Sequence, residues 1–321
     1  MNHSAQPARG PKISVVIPYH NRGEYIDETL DSVLSQKGDF ELLEVLVVDD
    51  HSDEPASREA LERIARRDLL RVLSNQGRRG PSAPRNVGVR AARGDWLAFI
   101  DSDDVWLEGS LAARVEIARN EPSAEWISGD YCYWYGDDRR EATSVILGCS
   151  HNGPLVRQAE KNGRICLERP AAAFIEGNPS WTGTTLVRKE LVLSAGGFDE
   201  TLIQAEDRDL WMRLGLDGDL WFVPEVIALA RRHETNITNR PDPPDAWNLR
   251  AYRKRLADPR FAPYRAVLRA KMLQCYKRQA RHLREQGRFL SAFRAYAGAT
   301  SADFWDGEAW RGLAATALRK R

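Results

Sequence analysis

The chain has 321 residues, of which 42% are hydrophobic and 29% charged, which is typical of a globular protein with one large domain or one domain and an appendage. Its apolar runs are only a few residues long, which excludes a transmembrane helix, and residues 1–12 contain no apolar segment, so we expect no secretory signal. The cysteines are widely spaced and form no CxxC pair, so they predict neither a zinc site nor a disulfide framework and favour a reducing cytoplasm: Cys132, Cys149, Cys166 and Cys275.

The net charge of +1 conceals a strong division along the chain. Residues 246–321 contain 18 Lys and Arg against 5 Asp and Glu, a balance of +13 that leaves −12 for residues 1–245. The sequence therefore predicts an acidic body followed by a basic C-terminal region with a different task.

Predicted strands and helices alternate through residues 13–100. Continuous apolar runs rich in β-branched residues indicate buried strands, and apolar residues at intervals of three and four indicate helices. In chain order the elements are strand 13–18, helix 24–36, strand 42–50, helix 55–67, strand 71–74, helix 83–93 and strand 95–100. This alternation predicts an α/β fold with a mostly parallel sheet and helices on both faces.

Polar and acidic residues follow these strands, at positions 19–22, 49–50 and 101–104. In an open parallel sheet, ligands bind at the carboxyl ends of the strands, so this edge is the candidate site. The sequence has neither GxGxxG after the first strand nor GxxxxGK[ST] anywhere, the two commonest nucleotide-binding loops. A bound nucleotide would instead require a divalent cation held by carboxylates, and such hard oxygen ligands suit Mg²⁺ or Mn²⁺.

Three blocks with matching order and spacing make the interpretation specific: ISVVIPYHNRGEYIDETLDSVLSQ, EVLVVDDHSDE and PRNVGVRAARGDWLAFIDSDDVW. They resemble the nucleotide-sugar half of family 2 glycosyltransferases, and GTTLVRKELVLSAGGFDETLIQAEDRDLWMRLG with the later RRHETNIT resembles the acceptor half. The resemblance implies a GT-A fold, which is Rossmann-like, a UDP-sugar or similar donor, a divalent metal and inversion at the anomeric carbon. The predicted organisation is a disordered leader (1–11), a GT-A domain (12–240, with halves 12–106 and 107–240) and a helical C-terminal region (246–321).

By this similarity, Asp101 and Asp103 form the DxD pair at the metal and the donor ribose, with Ser102 between them. Asp104 is an additional or alternative metal ligand. The competing interpretation is that Ser102 or Asp103 only caps the following helix, but one acid would suffice for that. His233 falls where the family has a histidine near the metal and diphosphate; a structural histidine is the alternative.

The resemblance places further donor-binding residues at the strand ends. Asp50 corresponds to the position that hydrogen-bonds the base and suits the imide N–H of uracil or thymine, with an Asx turn as the alternative. Arg85 corresponds to an arginine that grips phosphate or ribose oxygens, and Arg78 and Arg79 are further candidates. The remaining matches, among which the tyrosine has a packing alternative, are Pro18, Tyr19, Asn21 and Asn86.

The catalytic base is predicted in the stretch AEDRDLW. In an inverting displacement, one carboxylate deprotonates the acceptor hydroxyl as it attacks. By similarity this carboxylate is Asp207, with Glu206 beside it contacting the acceptor or orienting the site. Asp209 points elsewhere on a helix and serves as a control. The alternative is an acidic first turn that suits the helix dipole.

Two features depart from the family pattern or remain ambiguous. His51 stands where a glycine is common, so the turn after Asp50 must accommodate a side chain. Residues 136–170 match no known block and lie where acceptor-binding insertions occur. Trp181 has two interpretations, stacking on a sugar ring or packing in the core.

The basic region 246–321 is predicted to be helical. Packing against the acidic body, homo-oligomer formation and peripheral contact with the inner face of the membrane are its alternative tasks. Nucleic-acid binding is not expected, because no nucleic-acid motif is present.

The sequence thus predicts a cytoplasmic, inverting, metal-dependent glycosyltransferase that moves a sugar from a nucleotide-sugar to a glycan or lipid-linked acceptor in the synthesis of a bacterial surface polysaccharide such as lipopolysaccharide. A nucleotidyltransferase would require a Gly/Lys-rich phosphate loop where this chain has YHNRGEY. A catalytically silent glycan-binding scaffold would lack the base or the metal residues.

Overall fold

The structure is a computed structural model that describes residues 10–135, 144–158, 160–161, 164–234, 236, 243 and 245–318. The chain divides into two compact units, which are treated separately below. The first unit comprises Met1–Thr201 and Leu210–His233, and the second comprises Leu202–Asp209 and Glu234–Arg321. The domain boundaries inferred from the sequence stay predictions; the division above differs from them because Leu202–Asp209 groups with the C-terminal helices.

The first unit contains a mixed β-sheet. Its strands are β1 Lys12–Tyr19, β2 Glu41–Asp49, β3 Leu70–Ser74, β4 Trp96–Phe99, β5 Val105–Trp106, β6 Trp126–Trp134, β7 Glu160–Lys161, β8 Arg164–Leu167, β9 Leu186–Arg188 and β10 Leu220–Arg231. Their order is β3-β2-β1-β4-β9-β6-β10-β8-β7, with β5 paired to β10. The strands β1 to β4 pair in parallel, so the ends that carry the polar residues lie along one edge.

Antiparallel pairing enters in the later part of the sheet. The strand β9 runs antiparallel to both β4 and β6, and β10 is parallel to β6 but antiparallel to β5 and β8. The predicted α/β class and the parallel arrangement of the first four strands are confirmed. The sequence did not indicate the mixed half, because strand direction there depends on long connections.

Helices flank this sheet. They are α1 Ile26–Leu34, α2 Pro55–Ile64, α3 Ser82–Ala91, α4 Ser110–Asn120, α5 Asn152–Gln158, α6 Ala171–Glu176, α7 Lys189–Ser194 and α8 Glu206–Leu214. The strands are buried in continuous runs, as expected for a sheet covered on both faces. At Gly88 of α3, a Cβ would overlap the buried Val16 side chain of β1. The glycine therefore permits the close approach of helix and strand.

The second unit is helical beyond residue 245, as the sequence predicts. Its helices are α9 Ala246–Ala257, α10 Arg265–Glu285, α11 Phe289–Ala302 and α12 Gly307–Leu318, with a 3₁₀ helix at Pro259–Tyr264. A small apolar core joins α10 and α11 through Ala280, Leu283 and Tyr296. An exposed aromatic group near α12 contains Phe304, Trp305 and Trp310, and Trp305 is 88% exposed. Among the described residues, no helix is both long and apolar enough to cross a membrane.

Candidate active site

The acidic loop follows β4 at the edge of the sheet. Asp104 donates its backbone N–H to the carbonyl oxygen of Asp101 at 3.1 Å, which closes a tight turn before β5. The carboxyl groups differ in access: the Asp101 side chain is 35% exposed and that of Asp103 13%, whereas Asp104 and Ser102 are buried. Of the three carboxylates in the loop, those of Asp101 and Asp103 are thus partly accessible to solvent, whereas that of Asp104 is not.

The carboxylate of Asp103 lies between two cationic or ionisable side chains. Its Oδ2 accepts hydrogen bonds from Arg22 Nε at 3.1 Å and from His233 Nε2 at 2.9 Å. Burial alone would raise the pKa of Asp103, but the bond from His233 and the positive charge of Arg22 outweigh it and lower the pKa. Tyr25 stacks on His233 with ring centroids 5.1 Å apart. Asp103 is therefore held as a carboxylate, and Oδ1 accepts no hydrogen bond from the described residues.

Asp104 has a structural environment. Its Oδ1 accepts the backbone N–H of Arg231 at 2.8 Å, and Arg231 Nε donates to the carbonyl oxygen of Asp103 at 2.8 Å. Burial, followed by the charges of Asp103 and Asp101, raises the pKa of Asp104 well above its usual value. Asp104 consequently joins the end of β10 to the acidic loop, and its burial leaves it little access to an ion at the surface of the loop.

Arg231 is a site residue that the sequence analysis missed. Its guanidinium lies 4.8 Å from the ring centroid of Tyr25 and 4.0 Å from that of Trp134, and it is ion-paired with Glu28. The signal was weak, because Arg231 stands two residues before His233 in a block noticed for its histidine. Arg22 was likewise noted only as part of a strand-end stretch.

Arg85 and Asn86, at the start of α3, have different partners. The buried Arg85 donates from Nη2 to Asp101 Oδ1 at 2.6 Å. Asn86 donates to the carbonyl oxygen of Phe198 and to Glu200 Oε1, both at 2.9 Å, and its Oδ1 accepts the N–H of Phe198 at 2.8 Å. The amide of Asn86 is thus used to hold the loop at 198–200, so we reassign it from nucleotide contact to positioning.

Asp50 organises the loop that follows β3. Its Oδ1 accepts from Asn75 Nδ2 at 2.7 Å and its Oδ2 from the N–H of Gly80 at 2.8 Å. His51 adopts φ +62°, so the turn predicted to accommodate a side chain does so in the left-handed region. Arg79 donates to the carbonyl oxygen of His51 at 2.9 Å. The loop with Arg78 and Arg79 is therefore fixed beside the end of β2.

The residues at the end of β1 are mainly structural in their side-chain contacts. Tyr19 is 1% exposed and its hydroxyl donates to the carbonyl oxygen of Ser57 at 3.1 Å, which favours its packing alternative. Asn21 has φ +50° and bonds through its amide to Asp53 and to the N–H of Glu54. Through these bonds, Asn21 fixes the start of α2. Pro18 lies within β1 and is half-buried.

The contacts of Trp181 also favour packing in the core over stacking on a sugar ring. Its ring stacks on Tyr131 with centroids 4.4 Å apart, and it lies against the apolar core of the first unit.

The buried Asp130 carboxylate accepts the N–H groups of Ile146 and Leu147 at 2.8 and 2.9 Å. These bonds attach the segment 136–170, which matched no known block in the sequence, to β6. Its residues 136–143, 159 and 162–163 lie outside the described residues.

The predicted base lies in the part of α8 that belongs to the second unit. Asp207 is half-buried, and its Oδ1 accepts the N–H of Arg208 at 2.6 Å. Glu206 is buried. Asp209 is completely buried and ion-paired with Arg255 Nε at 3.1 Å. The residue chosen as a control is therefore a structural anchor for this turn.

No group of three or more His, Cys, Asp and Glu side chains in the described part of the chain forms a ready-made metal centre. Mg²⁺-type sites in transferases commonly use one or two carboxylates and complete their coordination with substrate phosphates and water. The open Oδ1 of Asp103, the partly exposed Asp101 and the neighbouring His233 fit a site of this second kind.

The structure thus combines an α/β sheet with a carboxylate loop at its edge, and the comparisons with known proteins give its class. The family described as glycosyl transferase family 2 matches residues 14–181, more than half of the chain. The chain therefore belongs to the family 2 glycosyltransferases and is a transferase enzyme.

Relatives and solved structures extend the likeness beyond the matched segment. An uncharacterized protein of Mycobacterium tuberculosis is 31% identical over 252 residues, 74% of this chain and 72% of the relative. An uncharacterized glycosyltransferase of Rickettsia bellii is 32% identical over 237 residues, 74% of this chain but 31% of the relative. The structure of S. aureus TarS 1–349 in complex with UDP-GlcNAc has a TM-score of 0.63 at 20% identity, covering 91% of this chain and 81% of that 1–349 chain, which confirms the GT-A fold.

Proposed function

We propose that this glycosyltransferase is inverting and metal-dependent, and that it moves a sugar from a UDP-sugar to a hydroxyl of a glycan or lipid-linked acceptor in the synthesis of a bacterial surface polysaccharide. The observation that carries the proposal is the loop at the carboxyl end of β4, where Arg22 and His233 keep Asp103 ionised through one oxygen and the other oxygen accepts no hydrogen bond from the described residues. The UDP-GlcNAc complex of TarS makes UDP the first nucleotide to test.

The donor is proposed to bind along the ends of β1, β2 and β4. Asp50 accepts the imide N–H of uracil through the lone pairs left on its oxygens, while Arg85 and the Asp101 that it holds contact ribose or phosphate oxygens. Ser102 lies in the same turn. Asn86, Asn21 and the Tyr19 ring act indirectly by holding the adjoining loops.

A divalent cation, Mn²⁺ or Mg²⁺, is proposed to be held by Asp103, with Asp101 and His233 close by. Asp104 contributes indirectly, because it supports the loop. When bound, such a cation stabilises the negative charge that develops on the departing diphosphate. The protein's own contribution is to keep Asp103 ionised through Arg22 and His233 and to fix the loop through Arg231.

Asp207 is proposed to take the proton of the acceptor hydroxyl, with Glu206 orienting the acceptor. As that oxygen forms its bond to the anomeric carbon, the bond between this carbon and the diphosphate oxygen breaks, and UDP leaves with the electron pair. Displacement from the face opposite the leaving group inverts the configuration. This role for Asp207 rests on the family resemblance of the AEDRDLW stretch.

The expectations for location and association of the C-terminal helices remain proposals. We propose a cytoplasmic enzyme whose second unit makes peripheral membrane contact or forms a homo-oligomer. Vesicle flotation and light scattering of the purified chain distinguish these: flotation with anionic vesicles supports membrane contact, and a mass above one chain supports self-association.

A donor screen tests the proposed function. The midpoint of thermal unfolding should rise with UDP and with at least one UDP-sugar, more in Mn²⁺ than in its absence, because a ligand that binds the native state stabilises it. CDP serves as the matched control, since Asp50 does not complement the acceptor N3 of cytosine, which replaces the imide N–H of uracil. Absence of stabilisation by every nucleotide-sugar would overturn the proposal.

A further inference from the structure

A cavity of about 250 Å³ lies in the second unit against α9, α10 and α11. Its polar lining is supplied by Arg253, Tyr276, Gln279, Arg288, Ser291 and Arg294. Among the described residues, no Asp or Glu lines it. The cavity therefore brings three positive charges together with neutral hydrogen-bonding groups.

The turn between α10 and α11 places these groups. Gly287 adopts φ +73°, and the N–H of Arg288 bonds to the carbonyl oxygen of Leu283 at 2.8 Å, as in a Schellman helix end. Arg288, the residue before α11, is followed at intervals of three by Ser291 and Arg294 within α11, so the three lie on one side of the helix. A short connection with a specific backbone conformation thus sets the positions of two arginines.

The charges of the cavity are not neutralised within the described part of the chain. Arg253 donates from Nε at 2.9 Å and from Nη2 at 2.5 Å to the hydroxyl of Tyr276, a neutral oxygen. Arg288 and Arg294 are exposed and form no ion pair with a described residue. Like charges gathered in this way repel each other, and an anion between them would relieve the repulsion.

Three basic residues of α10 have carboxylate partners within the second unit. Lys277 is paired with Asp306 and Glu308, Arg281 with Glu308, and Arg278 with Asp245. Several basic residues beside the cavity-lining face of the helix therefore have carboxylate partners supplied by the protein. Among the described residues, no carboxylate of this kind lines the cavity.

We propose that this cavity binds a phosphate group. Guanidinium groups bind phosphate oxygens through paired hydrogen bonds, and the volume is below the roughly 300–1,000 Å³ of pockets for larger ligands, so it suits one compact anionic group. This phosphate site does not depend on the proposed function.

The test follows the arginine Nε–H resonances of the ¹⁵N-labelled full chain during titration with inorganic phosphate, with assignments from single Arg→Lys substitutions. We expect Arg253, Arg288 and Arg294 to shift together with one Kd. Charge reversal at Arg288→Glu with Arg294→Glu should raise that Kd at least tenfold. The matched control, Arg269→Glu with Arg311→Glu, changes the same charge at exposed positions outside the cavity and should leave Kd within twofold.

The proposal would be overturned if the cavity arginines did not shift together, or if the control variant weakened phosphate binding as much as the cavity variant. It would also be overturned if the chain did not respond to inorganic phosphate and the cavity variant lost binding to phosphatidylglycerol vesicles, because this result would assign the face to a membrane. Thermal unfolding checks that each variant folds. UDP binding, measured on the same samples, should be unchanged; its absence in the unsubstituted chain would refute the proposed function and leave the phosphate result standing.

Discussion

Asp103 and Asp104 are adjacent carboxyl groups with opposite surroundings. Asp103 receives hydrogen bonds from Arg22 and His233 and has a lowered pKa, whereas Asp104 is buried next to two other carboxylates and has a raised pKa. The sequence left open which of the two would bind a metal. The contacts make Asp103 our candidate ligand and Asp104 the support of the loop.

Substitution separates these two tasks. Asp103→Asn should weaken Mn²⁺-dependent binding of UDP by about 10- to 100-fold, because the amide lacks the charge that a divalent cation needs. Asp104→Asn keeps an oxygen for the Arg231 N–H and should change UDP affinity less than threefold. Titration calorimetry with and without Mn²⁺ measures both. A larger loss in Asp104→Asn than in Asp103→Asn would reverse the assignment.

At the scale of elements, Glu44 ties several segments of the sheet together. From β2, its completely buried carboxylate accepts Ser14 Oγ of β1 at 2.8 Å and the N–H and Nε of Arg93 at 2.7 and 3.0 Å, and it is ion-paired with Arg71 of β3. Burial raises the pKa of Glu44, but these hydrogen bonds, led by that of Arg71, outweigh it and lower the pKa.

A lowered pKa means that Glu44 stabilises the fold above its unfolded-state pKa, near 4.5, and that this stabilisation is lost as the pH falls through the folded-state pKa. Glu44→Gln should therefore lower the free energy of unfolding at pH 7 by about 1–2 kcal/mol, since the two arginines are partly exposed and screened. The difference should shrink toward pH 3. Urea unfolding at both pH values checks this, and an equal difference at both would contradict it.

The contact of α3 with β1 depends on Gly88. Gly88→Ala should lower the free energy of unfolding by about 1–2 kcal/mol, because the added methyl overlaps the buried Val16 and the overlap outweighs the gain in helix propensity. Gly218→Ala is the matched control: its Cβ would meet ordinary contacts at 3.4 Å or more, so its effect should stay within about 0.5 kcal/mol. Urea titration measures both, and equal effects would refute the packing argument.

At the scale of the whole molecule, the C-terminal helices are grouped with a segment of the transferase sequence. Leu202–Asp209 belongs to the second unit, where Asp209 is paired with Arg255 and Arg208 donates to the Tyr252 hydroxyl at 2.7 Å. The turn that carries the proposed base Asp207 is thus anchored by residues of α9.

Arg255→Ala removes an ion-pair partner of a completely buried carboxylate, Asp209. It should lower the free energy of unfolding by about 3–5 kcal/mol and also reduce sugar transfer in the folded fraction, because the turn of Asp207 loses its anchor. Arg260→Ala is the control, since Arg260 is 54% exposed and pairs with Asp258; it should cost less than about 1 kcal/mol. Unchanged stability of Arg255→Ala in denaturant would contradict this account.

The sequence predicted those features that depend on local pattern. Continuous apolar runs located the first four strands, and the acids after them marked the site edge, because parallel strand ends converge. Hydrogen-bond partners distant in the chain were not predictable: Tyr19 bonds to Ser57, Asn86 to Phe198, and Arg231 to the acidic loop. Residue type indicates what a side chain is able to bind, whereas tertiary structure decides what it does bind.

The most direct test of the central claim is the rate of UDP release by Asp207→Asn, measured with the preferred UDP-sugar and acceptor alongside the Kd for UDP. Loss of the general base should lower the rate by about 10²- to 10⁴-fold while the Kd for UDP stays within twofold of the unsubstituted chain. A variant that retains the full rate would contradict the assignment of Asp207 as the base and, with it, the proposed mechanism.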